Sequence, residues 1–141
     1  MVECEWAILC DSVFRDEHKK LCLIGVFTQI STRSVPSAHL HAAVAAKLTG
    51  NPDERFQARI EIVRPTGGIL SDSAFESVVG ANGVVEVVIN LSNVPLPDWG
   101  IYSCNIHLGD KPPKPLTFTV VKAAMTPPPA QPPQRNQPED S

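Results

Sequence analysis

The sequence has few aromatic residues, no cluster of positive charge and no long apolar run. Aromatic side chains make up 6% of its 141 residues, and its 12 Lys and Arg residues are scattered among 15 Asp and Glu. A face that binds nucleic acid normally carries clustered basic residues, so nucleic acid is not an expected partner. The longest apolar run, residues 21–27, is far shorter than the roughly 20 residues that cross a bilayer, so no membrane partner is expected either.

The sequence also has no recognisable targeting segment. Its first residues include Glu3 and Glu5, with neither the basic region nor the apolar stretch of a signal peptide. The four cysteines are Cys4, Cys10, Cys22 and Cys104, and no two have C-x-x-C spacing. A zinc ribbon is therefore not indicated. These features predict a cytoplasmic protein with reduced thiols.

The residue patterns of common enzymes are missing as well. No Ser lies in a G-x-S-x-G setting. The glycines at 67–68 and at 80 and 83 are not followed by a predicted helix, as those of a phosphate-binding loop would be. Cys104 and His107 are three residues apart on a predicted strand, so their side chains face opposite sides. The sequence therefore predicts a protein that is not an enzyme and that has no cofactor.

What the sequence does have is a series of alternating segments separated by turn signals, with no helical period. Eight strands are predicted, at about residues 3–14, 20–30, 39–49, 55–64, 69–79, 84–91, 101–108 and 116–121. Strand period predicts core-facing side chains at Leu40, Ala42, Val44, Ala46, Leu48, Phe56, Ala58, Ile60, Ile62, Tyr102, Cys104, Ile106 and Leu108. This pattern predicts an all-β fold, a two-sheet antiparallel β-sandwich formed by residues 1–122.

The closing half of the predicted sandwich resembles an immunoglobulin-like domain. Gly100 and Tyr102 open the seventh strand, a polar turn follows, and the last strand closes the chain. In the tyrosine corner of such domains, the ring packs at the strand entrance and the hydroxyl bonds to the backbone upstream. The resemblance therefore implies structural roles for Gly100 and Tyr102.

The third and seventh strands carry three histidines that suggest an alternative function. Strand period puts His39 and His41 on one face of the third strand and His107 at an outward position on the seventh. Two imidazoles on one face can hold a metal if a third ligand comes from a neighbouring strand. The alternative hypothesis is a metal- or small-ligand-binding protein that uses His39, His41 and His107. The simpler interpretation is that all three are solvated polar residues.

The first two strands are apolar on both faces, unlike the others. An apolar outer face needs a cover, which is a second subunit, a partner protein or a loop of the same chain. The predicted interface consists of Ala7, Leu9, Cys22, Ile24 and Val26. Because a one-residue slip exchanges the two faces, the alternative patch is Trp6, Ile8, Leu23 and Phe27. The leading hypothesis is a non-catalytic binding or assembly module that meets a protein partner, or itself, through this hairpin.

Residues 123–141 differ in composition from the rest of the chain. They are rich in proline and contain almost no core-forming side chain, which predicts a disordered tail. Pro129 and Pro132 have the three-residue spacing that polyproline-binding grooves use. A solvated tail is the preferred interpretation.

Two segments resemble a bacterial family of small single-domain proteins of unknown function. Ala7-Ile8-Leu9-Cys10-Asp11 is similar to the family's A-x-L-C-D strand, and residues 20–27 are similar to its K-L-x-L-I-G-x-F strand. Residues 100–109 are similar to its closing hairpin, which begins with G-x-Y. The resemblance implies a compact immunoglobulin-like β-sandwich in a bacterial cytosol and supplies no catalytic residues.

Overall fold

The structure is a computed structural model that describes residues 1–124. Its nine strands are β1 (Glu3–Arg15), β2 (Leu21–Val26), β3 (Gln29–Thr32), β4 (Ser37–Thr49), β5 (Arg55–Val63), β6 (Ile69–Val78), β7 (Val84–Leu96), β8 (Gly100–Leu108) and β9 (Lys114–Lys122). Residues 1–124 include no helix long and apolar enough to cross a membrane. Most of the predicted proline-rich tail, residues 125–141, lies outside the described residues.

The strands form two sheets that pack face to face, so the predicted all-β sandwich is confirmed. Sheet A has four strands in the order β2–β1–β4–β7, and sheet B has five in the order β3–β9–β8–β5–β6. The core lies between the sheets and is built from alternate residues of both, as strand period predicts. Its members from β4, β5 and β8 are Ala42, Val44, Ala46, Leu48, Ala58, Ile60, Ile62, Tyr102, Cys104, Ile106 and Leu108.

The second predicted strand is in fact two strands that belong to different sheets. β2 ends at Val26 in sheet A, and β3 begins at Gln29 in sheet B. β3 pairs with β9 in parallel, whereas the sequence predicted antiparallel pairing throughout. The chain is tied to sheet B where it crosses, because the Thr119 N–H donates to the Thr28 carbonyl over 2.9 Å. The sequence did not reveal the crossing because its apolar alternation continues through residue 27.

The distal half of the first hairpin folds back over the outer face of sheet A. Trp6 of β1 pairs with Lys47, and Lys47 pairs with Glu86 of β7, so these three residues lie level across the sheet. At about 3.3 Å per residue, a straight β1 would carry Arg15 roughly 30 Å beyond that level. Instead, Nη1 of Arg15 lies 3.5 Å from Oε1 of Glu86. This contact requires the hairpin to turn back across the sheet.

The hinge of this turn lies at Asp11 and Gly25, which the pairing between β1 and β2 skips. Gly25 has a φ of +72°, and a Cβ there would lie 2.5 Å from Oδ2 of Asp11, so only glycine fits without strain. We call residues 11–26 the arm. Ala43 and Ala45 point away from the core between the sheets, yet both are fully buried. The arm, a segment of the same chain, therefore acts as the cover that the apolar outer face of sheet A needs.

Candidate binding surface

Two residues of the predicted interface lie in the interior of the sandwich. Ala7 pairs with Ala46, and Leu9 pairs with Val44; both partners are core residues. Leu9 is buried, and Ala7 packs against the core cluster. The prediction that Ala7 and Leu9 face outward is therefore corrected. Ala7 and Leu9 face inward because paired residues on neighbouring strands point to the same side of a sheet, and their partners on β4 point into the core.

The other three residues of the predicted interface lie on the solvent side of the arm. Ile24 and Val26 are 55% and 62% exposed, respectively, and Cys22 is half-buried. Phe14, which the sequence analysis did not include, pairs with Cys22 and is 48% exposed. We call Phe14, Cys22, Ile24 and Val26 the arm patch. Phe14 alternates with Ser12 in the sequence, and this alternation was the available signal for it.

The alternative patch of Trp6, Ile8, Leu23 and Phe27 is not the exposed one, because all four side chains are half-buried. Phe27 lies beyond the end of β2 and packs edge-on against the core ring of Phe118, with their centroids 6.0 Å apart. The side chains of Trp6 and Ile8 belong to the face of sheet A that the arm covers. The alternating pattern in the sequence placed residues of different faces in one predicted patch, because the hinge at Asp11 and Gly25 interrupts the alternation.

Charged side chains lie at the tip of the arm, beside the uncharged patch. The Asp16 carboxylate accepts the backbone N–H groups of His18 and Lys20 over 2.8 and 2.9 Å. Arg15 donates to the Lys19 carbonyl over 3.0 Å. These bonds give the tip a defined turn. The surface is therefore an apolar centre bordered at one end by charge.

The histidines of β4 do not share a face. His39 and Ala42 both face the interior although they are three residues apart, and Leu40 and His41 between them are both exposed. The strand's alternation therefore breaks at residues 40–41. This irregularity corrects two predictions: His39 and His41 do not form a pair, and Leu40 is not a core residue.

The His39 side chain is instead part of the hinge. Its Nε2 lies 3.0 Å from Oδ1 of Asp11, and its ring centroid lies 5.2 Å from that of Phe27. The imidazole therefore links β4 to the hinge of the arm and to the point where the chain leaves sheet A.

His107 lies in sheet B, away from the other two histidines. Its Nε2 is 2.7 Å from Oε1 of Glu61, and the Asn105 amide donates to the same oxygen over 3.3 Å. Arg59 lies 3.5 Å from the other carboxylate oxygen. The hydrogen bond from His107, with that from Asn105, holds the pKa of Glu61 below its usual value. Glu61 is the one buried charged residue among residues 1–124.

The structure does not bring the three predicted metal ligands together. His39 and His41 are in sheet A and His107 is in sheet B. Within residues 1–124, no group of three or more His, Cys, Asp or Glu side chains is arranged to hold a metal ion. Two buried thiols are also poor nucleophiles, since burial raises the pKa of Cys104 to about 12 and also raises that of Cys10.

Tyr102 and Gly100 lie where the chain enters β8. The buried Tyr102 hydroxyl donates to the Asp98 carbonyl over 2.8 Å and accepts the Asp98 N–H over 2.9 Å. Its ring stacks on Phe118 at a centroid distance of 5.1 Å. Gly100 has a φ of +123°, and a Cβ there would lie 3.2 Å from Pro65. This geometry is that of a tyrosine corner.

The chain belongs to a family of unknown function, DUF6941, which it matches over residues 5–121. No match to a curated protein was found. Among solved structures, the C-terminal domain of wzt is similar at 14% identity, over 87% of this chain and 75% of that one, with a TM-score of 0.49. An immunoglobulin-like protein from Pseudomonas aeruginosa is similar at 12% identity, over 86% and 97%, with a TM-score of 0.46.

Proposed function

We propose that this protein is a non-catalytic assembly module that packs the arm patch against another protein molecule. The observation that carries the proposal is the exposure of Phe14 and Ile24 on one side of the arm, at 48% and 55%, and of Val26 beside the hinge, at 62%. Isolated exposed apolar residues are common on protein surfaces. A group of them on one hairpin, bordered by charge, is instead typical of an interaction site.

The arm is suited to this role because its other side is already occupied. Val13, Leu21 and Leu23 are half-buried, and the ion pair between Arg15 and Glu86 ties the arm across sheet A. The arm patch is therefore held on a supported hairpin, and little ordering is needed when a partner binds. Fully burying an aliphatic or Phe side chain contributes about 1.5–3 kcal/mol. These side chains are about half-buried already, so they act as the apolar centre of a contact to which surrounding residues must add.

The charge distribution supports a protein partner. The arm patch contains no ionisable side chain other than the Cys22 thiol. The charged side chains lie together at the tip of the arm, at Arg15, Asp16, Glu17, His18, Lys19 and Lys20. An apolar centre with a charged border is the arrangement of many protein–protein interfaces. The three histidines support no comparable proposal, since they are divided between two sheets.

The test is the native mass of the protein in extracts of the cells that produce it, for wild type and for Ile24→Glu. We expect wild type to elute in a larger assembly than the variant, because a carboxylate in the arm patch cannot be buried without a large desolvation cost. Ile101→Glu is the matched control: Ile101 is 63% exposed and lies on β8 in the other sheet. Equal masses for all three proteins would contradict the proposal.

A further inference from the structure

The side of the sandwich between β6 and β7 is open, and a groove runs along it. β6 is an edge strand of sheet B and β7 is an edge strand of sheet A. The groove has a volume of about 430 Å³. Its lining comes from both edges and includes Ser73, Phe75 and Ser77 on one side and Val87 and Ile89 on the other. Phe75, Val87 and Ile89, which pack against the core, are therefore accessible from solvent through this groove.

The groove exists because β6 has small side chains at most of its inward positions. Ser71, Ser73 and Ser77 pair with Ile62, Ile60 and Phe56, and therefore face the interior. Among residues 71–77, Phe75 is the one large side chain that faces the interior, and it pairs with Ala58. A serine leaves unfilled the space that a Leu or Ile would occupy, so sheet B does not close against sheet A at β6.

The edge of β7 carries few of the features that protect edge strands. It spans 13 residues, from Val84 to Leu96, and among the strands of residues 1–124 it pairs only with β4. It contains one charged residue, Glu86, and its first proline is Pro95. β6, in contrast, carries Asp72 and Glu76. Long, uncharged edges are ready templates for another strand, and proteins usually protect them with charge, proline or bulges.

We propose that β7 pairs antiparallel with β7 of a second copy of this chain, about a two-fold axis near residues 88–90. This pairing joins the two copies of sheet A into one continuous sheet. It also brings the partner's β7 against the open groove, where Val87 and Ile89 gain cover. A contact about a two-fold axis uses the same patch on both copies and forms a closed dimer.

Charge favours a second copy as the occupant of this edge. In antiparallel pairing about residues 88–90, Glu86 lies opposite Asn90, Ser92 or Val94 and never opposite its own copy. Like charges directly opposite each other destabilise a strand pair, and this register contains none. The Glu86 carboxylate is also drawn onto the outer face of the sheet by Arg15, 3.5 Å away, so it does not obstruct the edge.

The test is the mass of the purified full chain in solution, measured by light scattering across a dilution series. We expect wild type to have twice the 15.3 kDa mass of the chain and Val88→Lys to be a folded monomer. Val88 pairs with Ala45 at the margin of the face that the arm covers and is 36% exposed. A lysine there can extend its ammonium group to solvent in the monomer, but it meets a second lysine near the axis. The like-charge pair and the loss of apolar contact by both Val88 side chains together weaken the dimer by at least about tenfold. Mixing Val88→Lys with Val88→Glu should restore the dimer.

Two controls separate this inference from the proposed function. Val78→Lys, at a 43% exposed position on β6, should remain dimeric, and so should Ile24→Glu. A wild-type monomer at every soluble concentration would overturn the inference, as would a Val88→Lys variant that dimerises like wild type. If Ile24→Glu alone abolishes the dimer, the contact lies at the arm patch. The proposed function then survives and the β7 contact does not.

Discussion

At the scale of single residues, buried polar groups in this protein are satisfied by specific partners. The Tyr102 hydroxyl uses both its donor and its acceptor on the main chain of Asp98. Asp98 in turn accepts a 2.7 Å hydrogen bond from Arg64, which holds the pKa of Asp98 below its usual value. No buried side-chain nitrogen or oxygen in residues 1–124 lacks a hydrogen-bond partner. Polar residues inside this sandwich therefore stabilise a unique arrangement of strands.

The lowered pKa of Glu61 leads to a prediction about how stability depends on pH. Its pKa is lowered in the folded protein, so its contribution to stability is present above the unfolded pKa of about 4.3 and is lost as pH falls through the folded value. We expect Glu61→Ala to lower the free energy of unfolding by about 2 kcal/mol at neutral pH, because His107 and Asn105 lose their acceptor. The difference from wild type should shrink below about pH 4. Chemical denaturation at several pH values measures it.

The control for this prediction is Glu76→Ala. Glu76 lies on the neighbouring strand β6, is exposed and accepts one hydrogen bond, from Gln57 over 2.9 Å. Exposed polar contacts of this kind contribute little, so this variant should differ from wild type by less than about 0.5 kcal/mol. A Glu61→Ala variant that is as stable as wild type at pH 7 would contradict the account of Glu61.

At the scale of elements, the hinge determines which side of the first hairpin meets solvent. Gly25 is in a left-handed conformation in close contact with Asp11, and Asp11 is held by His39. The arm turns back at this point, and its tip reaches Glu86 on the far strand of sheet A. The contacts at the hinge and the ion pair at the tip together hold the arm so that its uncharged, apolar side faces solvent.

Gly25→Ala tests the hinge. The added Cβ would lie 2.5 Å from the Asp11 carboxylate in a backbone conformation that alanine rarely adopts, at a cost of roughly 1–3 kcal/mol. We expect the arm to loosen while the sandwich stays folded. Amide hydrogen exchange should become faster in residues 12–24 and stay unchanged in β5 and β8. Unchanged protection in the arm would contradict the hinge. Gly67→Ala is the matched control: a Cβ there meets nothing within 4 Å, although φ is also positive.

Strand period was sufficient to predict most of the sandwich from the sequence. The core faces of β4, β5 and β8 follow strict alternation over most of their length, so their inward residues were assigned correctly. Leu40 was wrong because the alternation breaks at residues 40–41. Phe27 was assigned to the first hairpin because the apolar run of residues 21–27 continues one residue past the end of β2 at Val26. Such breaks depend on contacts between distant strands, and a local pattern does not contain them.

The candidate site was less predictable than the fold for the same reason. Cys22, Ile24 and Val26 were grouped because they alternate on one short strand, and Ile24 and Val26 are exposed in the structure. Ala7 and Leu9 were added to them because the alternation was assumed to continue unchanged across the hinge. The histidine hypothesis assumed that His107 lies beside the strand of His39. The order of strands in the two sheets decides that question, and a single sequence does not reveal strand order.

At the scale of the whole molecule, the sandwich has two surfaces that are suited to contact with protein. One is the arm patch over sheet A, and the other is the open side between β6 and β7. They lie on different strands, so a dimer through β7 leaves both arm patches available. A net charge of −3 is small enough that two copies repel each other only weakly at physiological salt. The proposed dimer therefore carries one exposed arm patch on each copy.

Photo-crosslinking from the arm patch in living cells tests whether this surface binds protein. A benzophenone amino acid replaces Ile24 in one variant and Ile101 in the control, since both positions are more than half exposed. We expect a crosslinked product heavier than the 15.3 kDa chain from position 24 and none from position 101. Mass spectrometry of that product identifies the partner. The absence of any product from position 24, or equal products from both positions, would contradict the claim that the arm patch binds protein.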